Sequence, residues 1–282
     1  MGVTNYHIKE ADFDQVISEK QELSILLGVG SFTYILREKS NHRVLAFRAQ
    51  SIPNEAPETW LSDLEKTIQG DALLRDSQLK TVYLSFLTDR ATLVPSRFFE
   101  NGKEADYLSH LTPISLDDRC RAEALPVLGT HLVYAIGEDK IAATAQRFAP
   151  VLSRHLASGL LAHWVARSIR LGQRAVFCCI RDQQLIVCAL DRAKPLFFNV
   201  FKFGSPQDAL YFVALAYQQV GWSTSRIPLY LCGDILSTSE VYRQFYRFIE
   251  DIRFLNYDGP FDIGPQLSAL PTHLYYDLLC QF

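Results

Sequence analysis

The chain has 282 residues, 48% of them apolar, 21% charged and 12% aromatic, with a formal net charge of −3. That length and apolar share suit one large or two medium globular units with real cores, and exclude a disordered or fibrous chain. Lys and Arg are mixed evenly with Asp and Glu, so no basic tract offers the counterion-release route to nucleic acid, and nucleic acid is set aside as a partner.

The first residues, MGVTNYHIKEADFDQV, are polar and acidic and lack the charged start and apolar core of a secretory signal. Long apolar stretches such as SGLLAHWVARSI are interrupted by His163 and Arg167 and are too short to span a bilayer. A cytoplasmic protein without direct membrane insertion is expected. Cys178, Cys179, Cys188 and Cys232 sit in apolar runs and no Cys-x-x-Cys pair occurs, which points to buried reduced thiols and not to disulfides or zinc.

In chain order, three consecutive strands are expected at Leu23–Gly28, Phe32–Arg37 and Val44–Ser51, rich in Leu, Ile, Val, Phe and Tyr and joined by the turns GVGS and EKSNH. A helix follows in NEAPETWLSDLEKTIQG, with Pro57 near its start, Trp60, Leu61, Leu64 and Ile68 on one face, and Gly70 at its end. KTVYLSFLTDRATLVPSRFF reads as a strand pair broken at Asp89-Arg90 and closed by Pro95, followed by a helix over Phe98–Leu108. PVLGTHLVYAI is a strand, and EDKIAATAQRFA is a short helix with acidic residues in its first turn, ended by Pro150. VLSRHLA is a strand, and SGLLAHWVARSIRLG is an amphipathic helix that stops at Gly172.

The order then repeats. AVFCCI, LIVCAL and LFFNVFKF form three strands around the turns RDQQ and DRAKP. SPQDALYFVALAYQQVG is a helix with Ser205 as N-cap, Pro206 in its first turn and Gly221 as its stop. RIPLYLCGDIL is a buried strand and turn; STSEVYRQFYRFIEDI is a helix with Val241, Phe245, Phe248 and Ile249 on one face. The tail from Leu255 is punctuated by Pro and Gly and ends in an aromatic run that packs back. Strand–strand–strand–helix–strand–helix thus recurs around Leu23–Leu108 and Ala175–Ile252, with a boundary near Gly172-Gln173. The division expected is 1–172, a lobe carrying a small inserted strand-helix unit, and 173–282, a second lobe.

That duplicated order resembles the ribonuclease-H-like lobes of the actin-like ATPases, an α/β fold. The stretches LSILLGVGSFTYIL, VYLSFLTDRATLVPSRFF, RHLASGLLAHW, LIVCALDRAKPLFFNVFKF and PLYLCGDILSTSEVYRQFYRFI are similar to an uncharacterised bacterial family assigned to that fold. ATLVPSRFF and HLVYAIGEDKIAATAQRFAPVL more distantly resemble the actin-like platform proteins of type IV pilus assembly and type II secretion. The resemblance implies nucleotide between the lobes, held by one glycine-bearing hairpin from each, by an Asp that orients hydrated magnesium, and by a Gly-Gly turn against the adenine ring.

The residues meet this pattern in part. In the first hairpin, Leu27-Gly28-Val29-Gly30-Ser31, Gly28 and Gly30 suit a phosphate cradle and Ser31 can donate to an oxygen, but Gly stands where the metal-orienting Asp belongs. A plain glycine-rich turn explains the same residues. The second hairpin, Arg181-Asp182-Gln183-Gln184, has no Gly, and Asp182 would face a triphosphate with like charge, at a cost of about 1–4 kcal/mol. The adenine-side turn keeps Gly233 but follows it with Asp234. Asp89, at a strand end, is the acidic residue nominated for metal positioning, and turns favour Asp on ordinary grounds.

No catalytic residue, cofactor or metal is therefore expected. The seven His show no metal-ligand spacing, and no P-loop, Rossmann fingerprint or Gly-x-Ser-x-Gly elbow occurs. The expectation is a non-catalytic scaffold or protein-binding module with a degenerate nucleotide cleft. Its rival is a divergent ATPase or phosphotransferase using Gly28, Gly30 and Ser31 with Asp89 or Asp182. The partner would be a protein, met on outer helices whose aromatic stripes serve mainly as core.

Overall fold

A computed structural model describes residues 5–11, 13, 20–28, 30–52, 60–71, 74, 81–148 and 151–282. Val29, Pro57 and Pro150 lie outside these residues, as do the side chains of Trp60 and Leu61. The first sheet grows from β1 (Tyr6–Lys9), β2 (Gln21–Leu27), β3 (Ser31–Glu38) and β4 (Arg43–Ser51). β2 and β3 are buried along almost their whole length, as near-continuous apolar runs require of strands covered on both faces. Helix α1 (Trp60–Gln69), with Leu64 and Ile68 buried, precedes β5 (Thr81–Phe86), which lies parallel to β2.

Beyond β5 the chain builds a separate sheet from β6 (Ala91–Pro95), β7 (Asp118–Leu125) and β8 (Thr130–Gly137), in the order β6-β8-β7, with Leu108 of α2 (Glu104–Ser109) buried against it. Helix α3 (Glu138–Phe148) and β9 (Leu152–His155) return to the first sheet, whose order is β1-β4-β3-β2-β5-β9. Helix α4 (Leu156–Leu171) ends on Gly172 at φ 64°, as expected.

The second sheet takes β10 (Arg174–Arg181), β11 (Gln184–Asp191) and β12 (Lys194–Lys202), then α5 (Pro206–Gln219), β13 (Leu229–Gly233), α6 (Glu240–Tyr246) and β14 (Ile252–Phe254). Its order, β12-β11-β10-β13-β14, matches β4-β3-β2-β5-β9 strand for strand: two antiparallel pairings followed by two parallel ones in each. Ser205 caps α5 in a reciprocal capping box with Asp208, and Gly221 follows at φ 66°.

Three sequence expectations need correction. The first copy of the repeat does not close at Leu108: its fifth strand is β9, because the chain from β6 to β8 pairs with itself. The helix expected over Phe98–Leu108 is a 3-10 turn at Ser96–Phe98 followed by the shorter α2. Helix α6 stops at Tyr246, so Phe248 stands 60% exposed while Val241, Phe245 and Ile249 are buried.

The tail does pack back. Strand β15 (Asp262–Ile263) pairs with β4, and helix α7 (Tyr276–Leu279) lies against β2 and β3 of one sheet and β13 of the other. One continuous core therefore joins Leu23, Ile25 and Phe47 with Phe177, Tyr230 and Cys232 through Tyr275 and Leu278. Trp164 of α4 stacks on Phe177, which stacks on Tyr230, at centroid distances of 5.5 and 5.2 Å. All six cysteines are free, five of them buried. Among the described residues, no helix is long and apolar enough to cross a membrane.

Candidate functional site

The β2–β3 and β10–β11 hairpins meet where the two sheets face each other. In the first, the Gly28 amide donates to the Ser31 carbonyl at 3.1 Å, and the Gly30 carbonyl accepts from the Ile52 amide at 2.8 Å. Ser31 is fully buried and its hydroxyl finds no partner among the described residues. The second hairpin turns on two residues, Asp182 at φ 48° and Gln183 at φ 58°. Tight hairpins want such left-handed pairs, but Asn and Gly adopt them most readily, and a Gln there carries strain of about 1 kcal/mol. The Phe203 amide holds the turn by donating to the Gln183 carbonyl at 2.9 Å.

This turn aims the Asp182 carboxylate at Gly28. A Cβ built on Gly28 would overlap Asp182 Oδ2, and it would stand 3.0 Å from Ser31 Oγ. Three of the residues singled out from the sequence, Gly28, Ser31 and Asp182, therefore share one spot, with the carboxylate in the space above the glycine. Gly30 lies half-buried beside it.

Arg181, the neighbour of Asp182, points the opposite way and is 1% exposed. Its Nε and Nη2 donate to the two carboxylate oxygens of Asp277 at 2.7 Å each, its Nη1 donates to Asp234 at 2.5 Å, and Nη2 also donates to the Leu274 carbonyl. Burial pushes the Asp234 carboxyl up to about 6, against the pull of Arg181. Gly233 is needed just before it: at φ 88° its Cα lies so close to β10 that a Cβ would overlap the Ile180 carbonyl, to which the Asp234 amide donates at 2.7 Å. His273 covers the far side of this turn, donating from Nε2 to the Ile235 carbonyl at 2.8 Å and stacking on Phe254. Gly233 thus packs on Ile180, two residues before Asp182, and under the chain's own residues 273–277, and its neighbour Asp234 feels the Asp182 charge.

At the mouth of the cleft a cavity of about 210 Å³ is lined by Asp89, Arg90, Lys140, Gln184 and Lys202, among others. Asp89 sits in the β5–β6 turn, ion-paired at 3.0 Å with Lys202 of β12 across the gap between the sheets. Among the described residues, no group of three or more His, Cys, Asp or Glu is arranged to hold a metal ion. The wall behind Asp89 is fixed by His155. Its Nδ1 accepts from the Ala157 amide at 3.0 Å, capping α4, and its Nε2 donates to the Thr88 carbonyl at 3.0 Å. Burial drives this imidazole down to about 4, so it is neutral in the tautomer those two bonds require.

A second hollow, about 500 Å³, opens between β7, β9, the start of α4 and the last residues of the chain. Both strands are sheet edges on this side, since β7 pairs with β8 and β9 with β5. Val127 and Leu152 stand 56% and 40% exposed at its rim, and Arg154 and His163 lie within it. Glu123 accepts from the His155 amide at 2.7 Å and from the Ser158 hydroxyl; burial raises its carboxyl. The sequence reading missed this hollow because the apolar positions that alternate in DRCRAEAL, Cys120, Ala122 and Ala124, are too small to announce a buried strand, and a strand edge leaves no motif.

Solved structures share the architecture. A Bacteroides thetaiotaomicron protein with actin-like ATPase fold and unknown function superposes with a TM-score of 0.76 at 15% identity, over 88% of this chain and 94% of that one. The PilM–PilN type IV pilus biogenesis complex gives 0.62 at 13% identity, over 92% and 97%. The cytoplasmic domain of EpsL, an inner membrane component of the type II secretion system of Vibrio cholerae, gives 0.47 at 11% identity, over 93% of each chain. The first two establish that this chain has the actin-like ATPase fold. No curated protein matches its sequence. A family model described as "Protein of unknown function (DUF3822)" matches residues 10–252.

Proposed function

We propose that this chain, which belongs to the DUF3822 family of proteins of unknown function, is a non-catalytic, cytoplasmic protein-binding scaffold whose ancestral nucleotide cleft is closed by its own side chains. One observation carries the reading: the Asp182 carboxylate occupies the space above Gly28 that a phosphate would need. A polyphosphate entering there would have to displace a turn tied to Phe203 and would meet a carboxylate of its own sign, a repulsion of about 1–4 kcal/mol. On the base side, Arg181, Asp234 and Asp277 are engaged with one another, and His273 covers the turn.

A protein partner is supported by the hollow beside β7 and β9, where two strand edges and exposed Val127 and Leu152 offer backbone and apolar contacts to an added segment. The likeness to PilM, whose solved structure is a complex with PilN, agrees with such a role by analogy of fold alone.

The test has two arms. Ligand at a hundredfold its dissociation constant adds about 2.7 kcal/mol, which raises a melting temperature by several degrees. Millimolar Mg-ATP is expected to leave the melting temperature unchanged, and a clear rise would overturn the scaffold reading in favour of a divergent ATPase or phosphotransferase. Affinity purification from native cells should recover a stoichiometric protein companion that Val127→Glu and Leu152→Glu release.

A further inference from the structure

The two sheets match strand for strand, but their equivalent edges are covered differently. In the first, the outer side of β4 is taken by β15 at Arg43 and Val44 and by β1 beyond them, with Ile8 opposite Phe47 and Tyr6 opposite Ala49. The Glu10 amide donates to the Leu45 carbonyl at 2.9 Å. By the alternation of an antiparallel ladder, Phe47 and Ala49 are then the β4 residues that exchange bonds with β1. In the second sheet β12 holds the place of β4, and among the described residues no strand pairs with its outer side. Strand β6 lies near β12 without forming a ladder to it.

Register carries the comparison to single residues. Ser31 pairs with Ser51 after the first hairpin and Gln184 with Lys202 after the second, so Phe198 and Val200 stand where Phe47 and Ala49 do. The Phe203 amide bonds to the Gln183 carbonyl. The same alternation turns the N–H and C=O groups of Phe198, Val200 and Lys202 away from β11. The Val200 amide agrees: it donates to Oδ1 of its own neighbour, Asn199, at 2.8 Å. An open row of backbone groups is a template for another strand. Lys194, Pro195 and Lys202 blunt its ends, while Leu196, 39% exposed, and half-buried Phe197 and Phe198 make its middle apolar.

A second copy suits this edge. Two antiparallel β12 strands about a two-fold axis can set Phe198 of each opposite Val200 of the other, each pair exchanging both backbone bonds. Asn199 then faces Asn199, and an amide side chain, both donor and acceptor, complements itself. Lys202 falls opposite Leu196 in this register. Moving the axis one residue towards the strand start would oppose Lys202 with Lys194 and bring like charges together.

We propose that this protein forms a homodimer through β12, the copies pairing antiparallel about Asn199 and joining their second sheets into one. The Asn199 side chain exchanges its bond to the Val200 amide for one to its counterpart across the axis. The interface involves neither Asp182 and Gly28 nor the hollow beside β7 and β9, so it stands apart from the scaffold reading.

Sedimentation equilibrium of the full chain tests it. The parent is expected to be a dimer at micromolar concentration, and deuterium uptake across Phe197–Lys202 should slow as concentration rises. Asn199→Asp and Asn199→Lys each set like charges face to face and should weaken the dimer by about fivefold. Mixed in equal amounts, the two variants should dimerise again, because opposite charges then meet at the axis. Gln218→Lys, on the exposed face of α5, adds the same charge as Asn199→Lys and should associate as the parent does. A parent that stays monomeric would overturn the proposal and leave the edge to a strand of a different protein. Parental dimerisation of Asn199→Lys, or a mixture no tighter than its components, would overturn it as well. The deuterium readout needs no variant, so the test holds even where a substitution weakens folding.

Discussion

The Asp182 carboxylate fills the volume that any side chain at residue 28 would require. Two hairpins from different sheets are locked by this pair, and the lock can be measured as a coupling. Gly28→Ala should destabilise the protein by about 1–3 kcal/mol, the cost of overpacking a closed contact. Asp182→Gly removes the obstructing carboxylate and relieves the left-handed backbone at φ 48°. In that background Gly28→Ala should cost less, by at least about 0.5 kcal/mol in denaturant titrations. Strict additivity would mean that the two residues are not in contact.

Arg181 and Asp277 form a pair with 1% and 0% side-chain exposure. Arg181→Met leaves the Asp277 carboxylate buried without its cation and should cost about 3–5 kcal/mol. Replacing both, as Arg181→Met with Asp277→Leu, should recover part of that loss, because the Asp277 charge is no longer buried without its cation, while Asp234, with 22% side-chain exposure, loses its Arg181 contact in both variants. Urea unfolding midpoints of the two variants decide the matter: a double variant no more stable than the single one would contradict it.

Gly233 has no tolerated substitute on geometric grounds. Alanine there would take up a φ of 88° and press its methyl into the Ile180 carbonyl. A loss of at least about 2 kcal/mol is expected from strain and overlap together. Gly102, also at positive φ but with open space around it, should lose less on the same change, so the pair separates backbone strain from collision.

His155 predicts a pH dependence. Folded, it is held down to about 4; unfolded, its ordinary value is 6.5. Above pH 6.5 neither state is protonated and nothing is lost. As pH falls from 6.5 to 4 the unfolded chain takes the proton first, so stability should drop, by roughly 3 kcal/mol once pH is below both values. Asp234 acts in the opposite sense. Its carboxyl is raised to about 6 in the fold, so it adds stability as pH falls from 6 towards 4. Comparing parent and His155→Gln by chemical denaturation at pH 7 and pH 5 isolates the imidazole: the variant should lose the downward trend that His155 contributes.

The sheets were legible in the sequence because their strands are long apolar runs with turn residues between them, and the order of elements was enough to suggest a duplicated lobe. Helix ends were legible where punctuation was chemical: Ser205 and Gly172. What escaped was everything set by tertiary context. β1, β7, β14 and β15 are short or half-exposed, and only their neighbours make them strands. At the candidate site, the sequence suggested that Asp182 would repel phosphate but could not reveal that it lies on Gly28. Residues 154 positions apart meet only because the two sheets face each other in the fold. Arg181 and Asp277 carried no signal either, since nothing in one chain links an arginine after a strand to an aspartate near the terminus.

Helix α7 touches both sheets, and Arg181 fastens it to the second. Among the described residues, the two sheets are thus stitched into one core. The lobes should melt as one calorimetric unit, with a van't Hoff enthalpy equal to the measured one. Because both sheets share one core and one terminal helix, unfolding either sheet strips cover from the other.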